Sequence, residues 1–268
     1  MSSTDVQQEW KHWHEQRTAM VSAMYGPLAL TGTYWLADAD GGRIAAIPGH
    51  WTEDGDEVVL TATAEDGLTL DGEPFTGQVR LGADHTPVGE SRLAHGEQRL
   101  VVMRREGLWA VRVWDPRAET RRTFAGIEAT PYDEAWAVPG VFRPYTEEHT
   151  VRVPNADGQE RGLGLSGELV FDLHGAEQSL QVAVEADGSL WAVFADGTSG
   201  ESSYRFRFLR PTAPAADGSV TVDFNRVLLP PCAFADHFIC PFPPPGNTLD
   251  VDIPAGERSV RTRDTALH

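Results

Sequence analysis

Gln98-Arg-Leu-Val-Val-Met-Arg-Arg105 and Leu108-Trp-Ala-Val-Arg-Val-Trp114 are two β-like runs separated only by Glu106-Gly107. Short runs rich in branched and aromatic residues, punctuated by Gly, Asp and Pro, mark strands rather than helices. The rhythm continues outward over 31–36, 57–63, 150–154, 168–173, 180–185, 190–195, 204–209, 220–224 and 249–253. Asp71-Gly72, Asp187-Gly188 and Asp217-Gly218 suit the hairpins between them. No helical segments of useful length alternate with these runs, so parallel βαβ folds fall away. The fold class is mainly β, an antiparallel β-barrel or β-sandwich. The segment from Glu106 to Asp115 is echoed by that from Asp187 to Asp196, each a turn, a Trp-bearing strand and a terminal Asp.

One stretch departs from this rhythm. Val6, Trp10, Trp13, Met20 and Met24 follow a three-and-four spacing, which predicts one amphipathic helix ended by Gly26-Pro27. Thr4 or a neighbouring serine can cap its start. The expected organisation is an N-terminal helix, 1–26, followed by a single all-β assembly, 27–268, that ends in a proline-rich arch at 230–247. Pro139-Gly-Val-Phe-Arg-Pro144 is a weak hint of an internal boundary.

Of the 268 residues 41% are hydrophobic, enough for a packed core. Forty acidic residues against 22 basic ones leave a formal charge of −18, which repels phosphate backbones and anionic headgroups. The expected partner is therefore a small molecule, with no nucleic acid and no membrane surface; oligomeric state is not legible. No apolar run is long enough to cross a membrane as a helix, and the N-terminus lacks the order of a signal peptide. Two cysteines suit a reducing compartment, so the expected location is the cytoplasm.

Familiar catalytic motifs are missing. Gly162-Leu-Gly164-Leu-Ser-Gly167 has the spacing of a dinucleotide loop, but strand-like Glu168-Leu-Val-Phe-Asp-Leu follows where a helix is required. Cys232-x4-His237-x2-Cys240 offers three zinc ligands and no fourth, leaving packed reduced thiols, a local disulfide or a metal as readings. The expectation is no metal and no cofactor.

The most informative stretch is Asp223-Phe-Asn225-Arg226-Val-Leu-Leu-Pro-Pro-Cys232-Ala-Phe, continuing to Cys240-Pro-Phe-Pro-Pro-Pro-Gly-Asn247. Six prolines between 230 and 245 fix φ and remove backbone donors, which predicts a stiff surface arch. Phe234, Phe238 and Phe242 would anchor it, while Asp223, Asn225, Arg226 and Asn247 could rim a pocket. The same four could equally satisfy buried carbonyls and one another. Asp196-Gly-Thr198-Ser199-Gly200 is a tight loop able to hold an anion or to form an Asx-type turn. In the alternating run after it, Tyr204, Phe206 and Phe208 would share one face, with Arg205 and Arg207 facing a polar cavity or solvent. Arg112 lies inside an apolar strand, where a buried guanidinium needs a partner such as Asp115, Asp196 or a ligand carboxylate.

The Asp-Phe-Asn-Arg strand end, Pro-Pro-Cys-Ala-Phe, and Cys-Pro with a proline run ending in Asn resemble a bacterial family, domain of unknown function 1684. The similarity extends upstream through the segment from Phe194 to Leu209 and more faintly to Gly32-Thr-Tyr-Trp-Leu36. The sequence departs in Val227-Leu-Leu229 and in His237, where the family has an aromatic, which weakens a metal role for His237. The resemblance implies no reaction or substrate.

The functional expectation is a small-molecule-binding β-protein that recognises a polar or anionic ligand through an arginine and aromatic pocket. Its candidate binding residues are Arg112, Asp196, Thr198, Ser199, Tyr204, Arg207, Asp223, Asn225, Arg226 and Asn247. The alternatives are a cofactor-independent enzyme (hydrolase, isomerase or cyclase) using the same cavity, with Asp196 or Asp223 as base, and a protein-interaction module.

Overall fold

In the computed structural model, which describes residues 3–263, the two opening runs form an antiparallel hairpin with Arg105 facing Leu108 and Arg99 facing Trp114. Glu106 and Gly107 both carry positive φ, 47° and 85°, the requirement of a two-residue turn whose twist matches its strands. Every strand pair in the sheets is antiparallel, and the protein is mainly β. The N-terminal helix is α1 (Ser3–Val21). Its expected cap lies outside the described side chains. Trp10 is buried and Val6 and Trp13 half-buried, as the apolar spacing suggests, but Met20 and Met24 are exposed and Val21 is buried, so the inward stripe follows the expected one only over its first half. Polar anchors set it: the Trp10 indole donates to the Asn225 carbonyl at 2.8 Å, and Arg17 donates to Glu257 at 3.1 Å.

The chain gathers into two compact units, residues 20–123 and residues 1–19 with 124–268, where the sequence reading expected a helix and one all-β assembly. One cut falls inside α1, between Ala19 and Met20, and the other where a short helix (Glu119–Thr123) runs straight into the strand that begins at Phe124, with no Gly/Pro linker at either to announce it. Pro139 to Pro144 lies inside one continuous strand instead.

The unit of residues 20–123 contains β1 (Leu30–Trp35), β2 (His50–Asp54), β3 (Glu57–Ala62), β4 (Leu68–Leu70), β5 (Glu73–Pro74), β6 (Gly77–Leu81), β7 (Leu93–His95), β8 (Gln98–Arg105) and β9 (Leu108–Trp114). A six-stranded sheet runs β1-β9-β8-β7-β4-β5, and β2-β3-β6 form a second sheet. Leu100, Val102, Val111 and Val113 point into a core with Trp51, Val58, Leu60 and Trp109. By the two-residue period, Val101, Met103, Arg105, Arg112 and Trp114 stand on the opposite face of the same hairpin.

The second unit adds β10 (Phe124–Ala129), β11 (Ala137–Pro154), β12 (Glu160–Leu173), β13 (Ala176–Val184), β14 (Leu190–Phe194), β15 (Arg207–Leu209), β16 (Ser219–Asp223) and β17 (Glu257–Thr262). Its large sheet runs β15-β14-β13-β12-β11-β16, with β10 and β17 paired separately. Leu169, Leu180, Leu190, Phe194, Phe224 and Ile253 share its core. Residues 162–167 lie within β12, paired to β11, so their glycines serve a strand and not a phosphate loop. Residues 249–253 are not a strand. They are pinned to the 195–197 segment by Leu249 N–H to the Ala195 carbonyl and Gly197 N–H to the Val251 carbonyl. The arch is sunk rather than superficial, with Cys232, Phe234, Ile239 and Cys240 all buried.

Candidate functional site

Nine of the ten residues singled out by sequence fall in the second unit, where most are saturated by the protein itself. Asp196 and Arg207 form an ion pair at 2.7 Å, both side chains fully buried. Asp196 Oδ1 also accepts from the Thr198 amide at 2.8 Å, the Thr198 hydroxyl at 2.6 Å and the Ile253 amide at 3.3 Å. The remaining Arg207 donors reach the carbonyls of Ile253 (2.6 Å), Ala255 (2.8 Å) and Glu257 (3.3 Å), leaving only Nε without an acceptor. Burial lowers the Arg207 pKa and the Asp196 carboxylate opposes it. Such an arginine faces neither cavity nor solvent, contrary to the alternation read from 204–209, because only Arg207–Leu209 is strand. Arg205 is the exposed one.

The loop after Asp196 is an Asx-type turn. Ser199 Oγ accepts the Asp196 amide at 3.1 Å, and Thr198 meets Ser203 at 2.8 Å. A Cβ at Gly197 would collide with the Asp252 carboxylate, which explains the glycine there.

Asn247 works as a piece of artificial ladder. β13 and β14 pair directly at Ala183–Trp191 and Val184–Leu190. Two residues further along that register, Gln181 and Val193 are bridged by the Asn247 amide, which accepts from Gln181 N–H at 2.8 Å and donates to the Gln181 and Val193 carbonyls at 2.9 Å each. Asn225 does the same for the 133–135 turn, accepting from Asp133 N–H at 3.0 Å and donating to Asp133 O at 2.9 Å. Asp223 caps this arrangement through Asn225 N–H and Nδ2. Arg226, with a third of its side chain exposed, is shared by Glu9 at 2.7 Å and Asp223 at 3.4 Å and lies over the Trp13 ring. Tyr204 donates to the Cys232 carbonyl at 3.2 Å. Sequence reasoning missed Glu257, a fully buried carboxylate held by Arg17 and by the Leu229 amide at 2.7 Å, whose pKa burial raises while Arg17 pulls it down.

The remaining candidate, Arg112, belongs to the unit of residues 20–123 and borders a different environment. A groove of about 360 Å³ lies on the outer face of the β8–β9 hairpin, lined by Arg104, Arg105 and Arg112 with Val101, Met103 and Trp114. The loop from Asp84 to Val88 forms its other wall. Arg112 sits opposite Val101 and Thr33, and its Nε is 3.4 Å from Thr33 Oγ1. Arg104 is held by exposed Asp56 at 2.6 Å and stacks on Trp109. Asp84 is turned into its own loop by Thr86 and Ser91. Burial raises its pKa, but those hydrogen bonds and His85 outweigh the effect and hold the carboxyl below its usual range. Three arginines and one carboxylate, Asp84, thus line the groove in a chain whose total charge is −18. The signal for Arg105 was present in Glu106-Gly107, since a two-residue turn there puts Arg105 on the same face as Arg112.

Cys232 and Cys240 are free and buried, and His237 is exposed. Among the described residues no group of three or more His, Cys, Asp or Glu side chains gathers as a metal site. Also among them, no helix is long and apolar enough to cross a membrane.

A mainly β chain of two units, one laced by buried polar bonds and the other bearing a basic groove, is what the geometry defines. Residues 122–258 match the model of the family described as Protein of unknown function (DUF1684), and the chain belongs to that family. The matched span lies almost wholly in the second unit and leaves out the unit with the groove. The chain is also similar to the solution NMR structure of an uncharacterized protein from Haloarcula marismortui, with 30% identity, 51% of this chain and 77% of that one covered, and a TM-score of 0.43. No curated protein matches it.

Proposed function

We propose that the protein binds a small organic anion in the β8–β9 groove, as a cytoplasmic binding protein without a role at nucleic acid or membrane. The observation that carries this reading is the convergence of Arg105 and Arg112 beside Trp114 on one sheet face. A planar guanidinium offers two parallel donors that fit a carboxylate or phosphate, and half-burial strengthens such a bond relative to water. Val101, Met103 and Trp114 supply apolar surface for the rest of the ligand, and about 360 Å³ is in the range of small-molecule sites. The saturated residues around Asp196, Asn225 and Asn247 support the second unit as a scaffold rather than as the seat of recognition.

Calorimetric titration of the full chain with inorganic phosphate and with phenyl phosphate tests the proposal. Both anions should bind, phenyl phosphate more tightly because its ring covers the apolar wall, and Arg112→Ala should weaken both. Absence of heat with either anion, or titrations unchanged by Arg112→Ala, would remove the groove as the binding site.

A further inference from the structure

The arch carries two thiols that neither the basic groove nor the buried polar network employs. Cys232 is the middle residue of the turn Pro231–Ala233, and its amide donates to Cys240 Sγ at 3.3 Å, so the two cysteines meet across the neck of the loop between them. Tyr204 brings its hydroxyl to 3.7 Å from Cys232 Sγ, and Arg205 lies over the rings of Tyr204, Phe206 and Phe242. Cys232 Sγ thus has a hydroxyl donor beside it, and the Cys232 backbone holds the second sulfur. Beside it opens a groove of about 470 Å³ lined by Tyr204, Ala233, Arg258 and Ser202. The residue next to Cys232 therefore borders space that a small reactant can occupy.

We propose that Cys232 and Cys240 are a thiol–disulfide exchange pair, with Cys232 the attacking sulfur, Cys240 the resolving one, and a low-molecular-weight disulfide the reactant. The Cys232 thiolate attacks one sulfur of the disulfide RSSR, forming a mixed disulfide and releasing RS⁻. Cys240 then loses its proton and attacks Cys232, forming the Cys232–Cys240 bond and releasing the second RS⁻. Two protons from the cysteines end on the two departing thiolates, and two electrons pass from the pair to RSSR. The environment favours the first step. The Cys240 hydrogen bond, with Tyr204 and Arg205, brings the Cys232 thiol from 9.0 to about 7 against the opposing effect of burial. A thiol with a pKa near the ambient pH is the most effective attacker. Burial, and next the Cys232 charge, raise the Tyr204 pKa, which keeps its hydroxyl protonated as a donor.

The test treats reduced full-length chain at neutral pH with the symmetric disulfide of mercaptoethanol and follows intact mass and peptide maps. The expected product has lost two hydrogens and links Cys232 to Cys240. Cys240→Ser should stop at a mixed disulfide on Cys232, and Cys232→Ser should react at least about tenfold more slowly. Should either variant fail to fold, the wild-type map and a Tyr204→Phe rate, expected to be slower, decide the matter. Two thiols that stay free in the native chain yet react once it is unfolded in guanidinium would overturn the proposal, as would adducts on both cysteines without a link.

Discussion

Phe206-Arg207-Phe208 and Val111-Arg112-Val113 look alike in sequence, each an arginine between large apolar residues, and the structure treats them in opposite ways. Arg207 is sealed from solvent with a carboxylate and three carbonyls around it. Arg112 is half-buried on the wall of a groove that it shares with Arg105. The partners make the difference. Asp196 comes back through a tight loop, and the 253–257 segment brings its carbonyls from far along the chain, so the guanidinium can leave water. On β9 the Arg112 Nε lies 3.4 Å from Thr33 Oγ1, and the side chain stays half-buried beside the groove. An arginine inside an apolar strand therefore reports a scaffold or a site according to what tertiary contacts deliver to it.

The largest effect that could break this comparison is in the sealed pair. Arg207→Ala leaves Asp196 buried and unpaired, and should cost about 3–5 kcal/mol, lowering Tm by roughly 10 °C. A thermal melt within about 2 °C of wild type would show that the pair is not the scaffold it looks to be. In the groove the sign of the experiment reverses. Arg112→Ala and Arg105→Ala should each weaken phenyl phosphate by about tenfold or more, one charge-assisted hydrogen bond of roughly 1.5–3 kcal/mol, while Tm moves little. Calorimetry and melts on the same samples read both quantities.

A smaller effect comes from Arg161, which grips Asp157 with two bonds of 2.7 Å. Burial raises the Asp157 pKa, but the Arg161 hydrogen bonds and the Gln159 amide outweigh it and hold the carboxyl below its usual range. A carboxyl lowered on folding stabilises above its unfolded pKa, and that stability is lost as pH falls through the folded value. Asp157→Asn should therefore cost about 1–2 kcal/mol at neutral pH, with urea melts of variant and wild type converging in strong acid. The smallest effect is expected at Arg226, a partly exposed residue paired with Glu9 and Asp223. Arg226→Ala should cost about 1 kcal/mol or less and shift Tm by only a few degrees. A much larger drop would move Arg226 from the surface class into that of Arg207.

The hairpin from Gln98 to Trp114 could be read from the sequence because its information is local: β-rich runs and a turn that accepts two positive φ values. The same holds for most of the large sheet, whose runs are apolar enough to declare themselves. β10 and β17 could not be read this way. Among the described residues they pair only with each other, across a gap of more than a hundred residues, and neither shows the apolar alternation of a strand packed on a core. The expected helix stripe held at Trp10 and failed at the exposed Met20 and Met24, and the anchors of the helix, the Asn225 carbonyl for Trp10 and Glu257 for Arg17, come from the far end of the chain.

Composition and motif, by themselves, determined a mainly β chain, the family marked by its C-terminal signature, and a charge that disfavours polyanions. Only the tertiary structure decided which polar residues of that signature are free. Asn225, Asn247 and Asp196 carry the same donors and acceptors whether they line a pocket or bridge two strands, and burial converts them to the second role. An unpaired polar group costs too much in a dry interior, so each finds its partners within the fold. Where each residue's backbone neighbours come to lie is set by contacts between segments distant in sequence, and no local pattern encodes that.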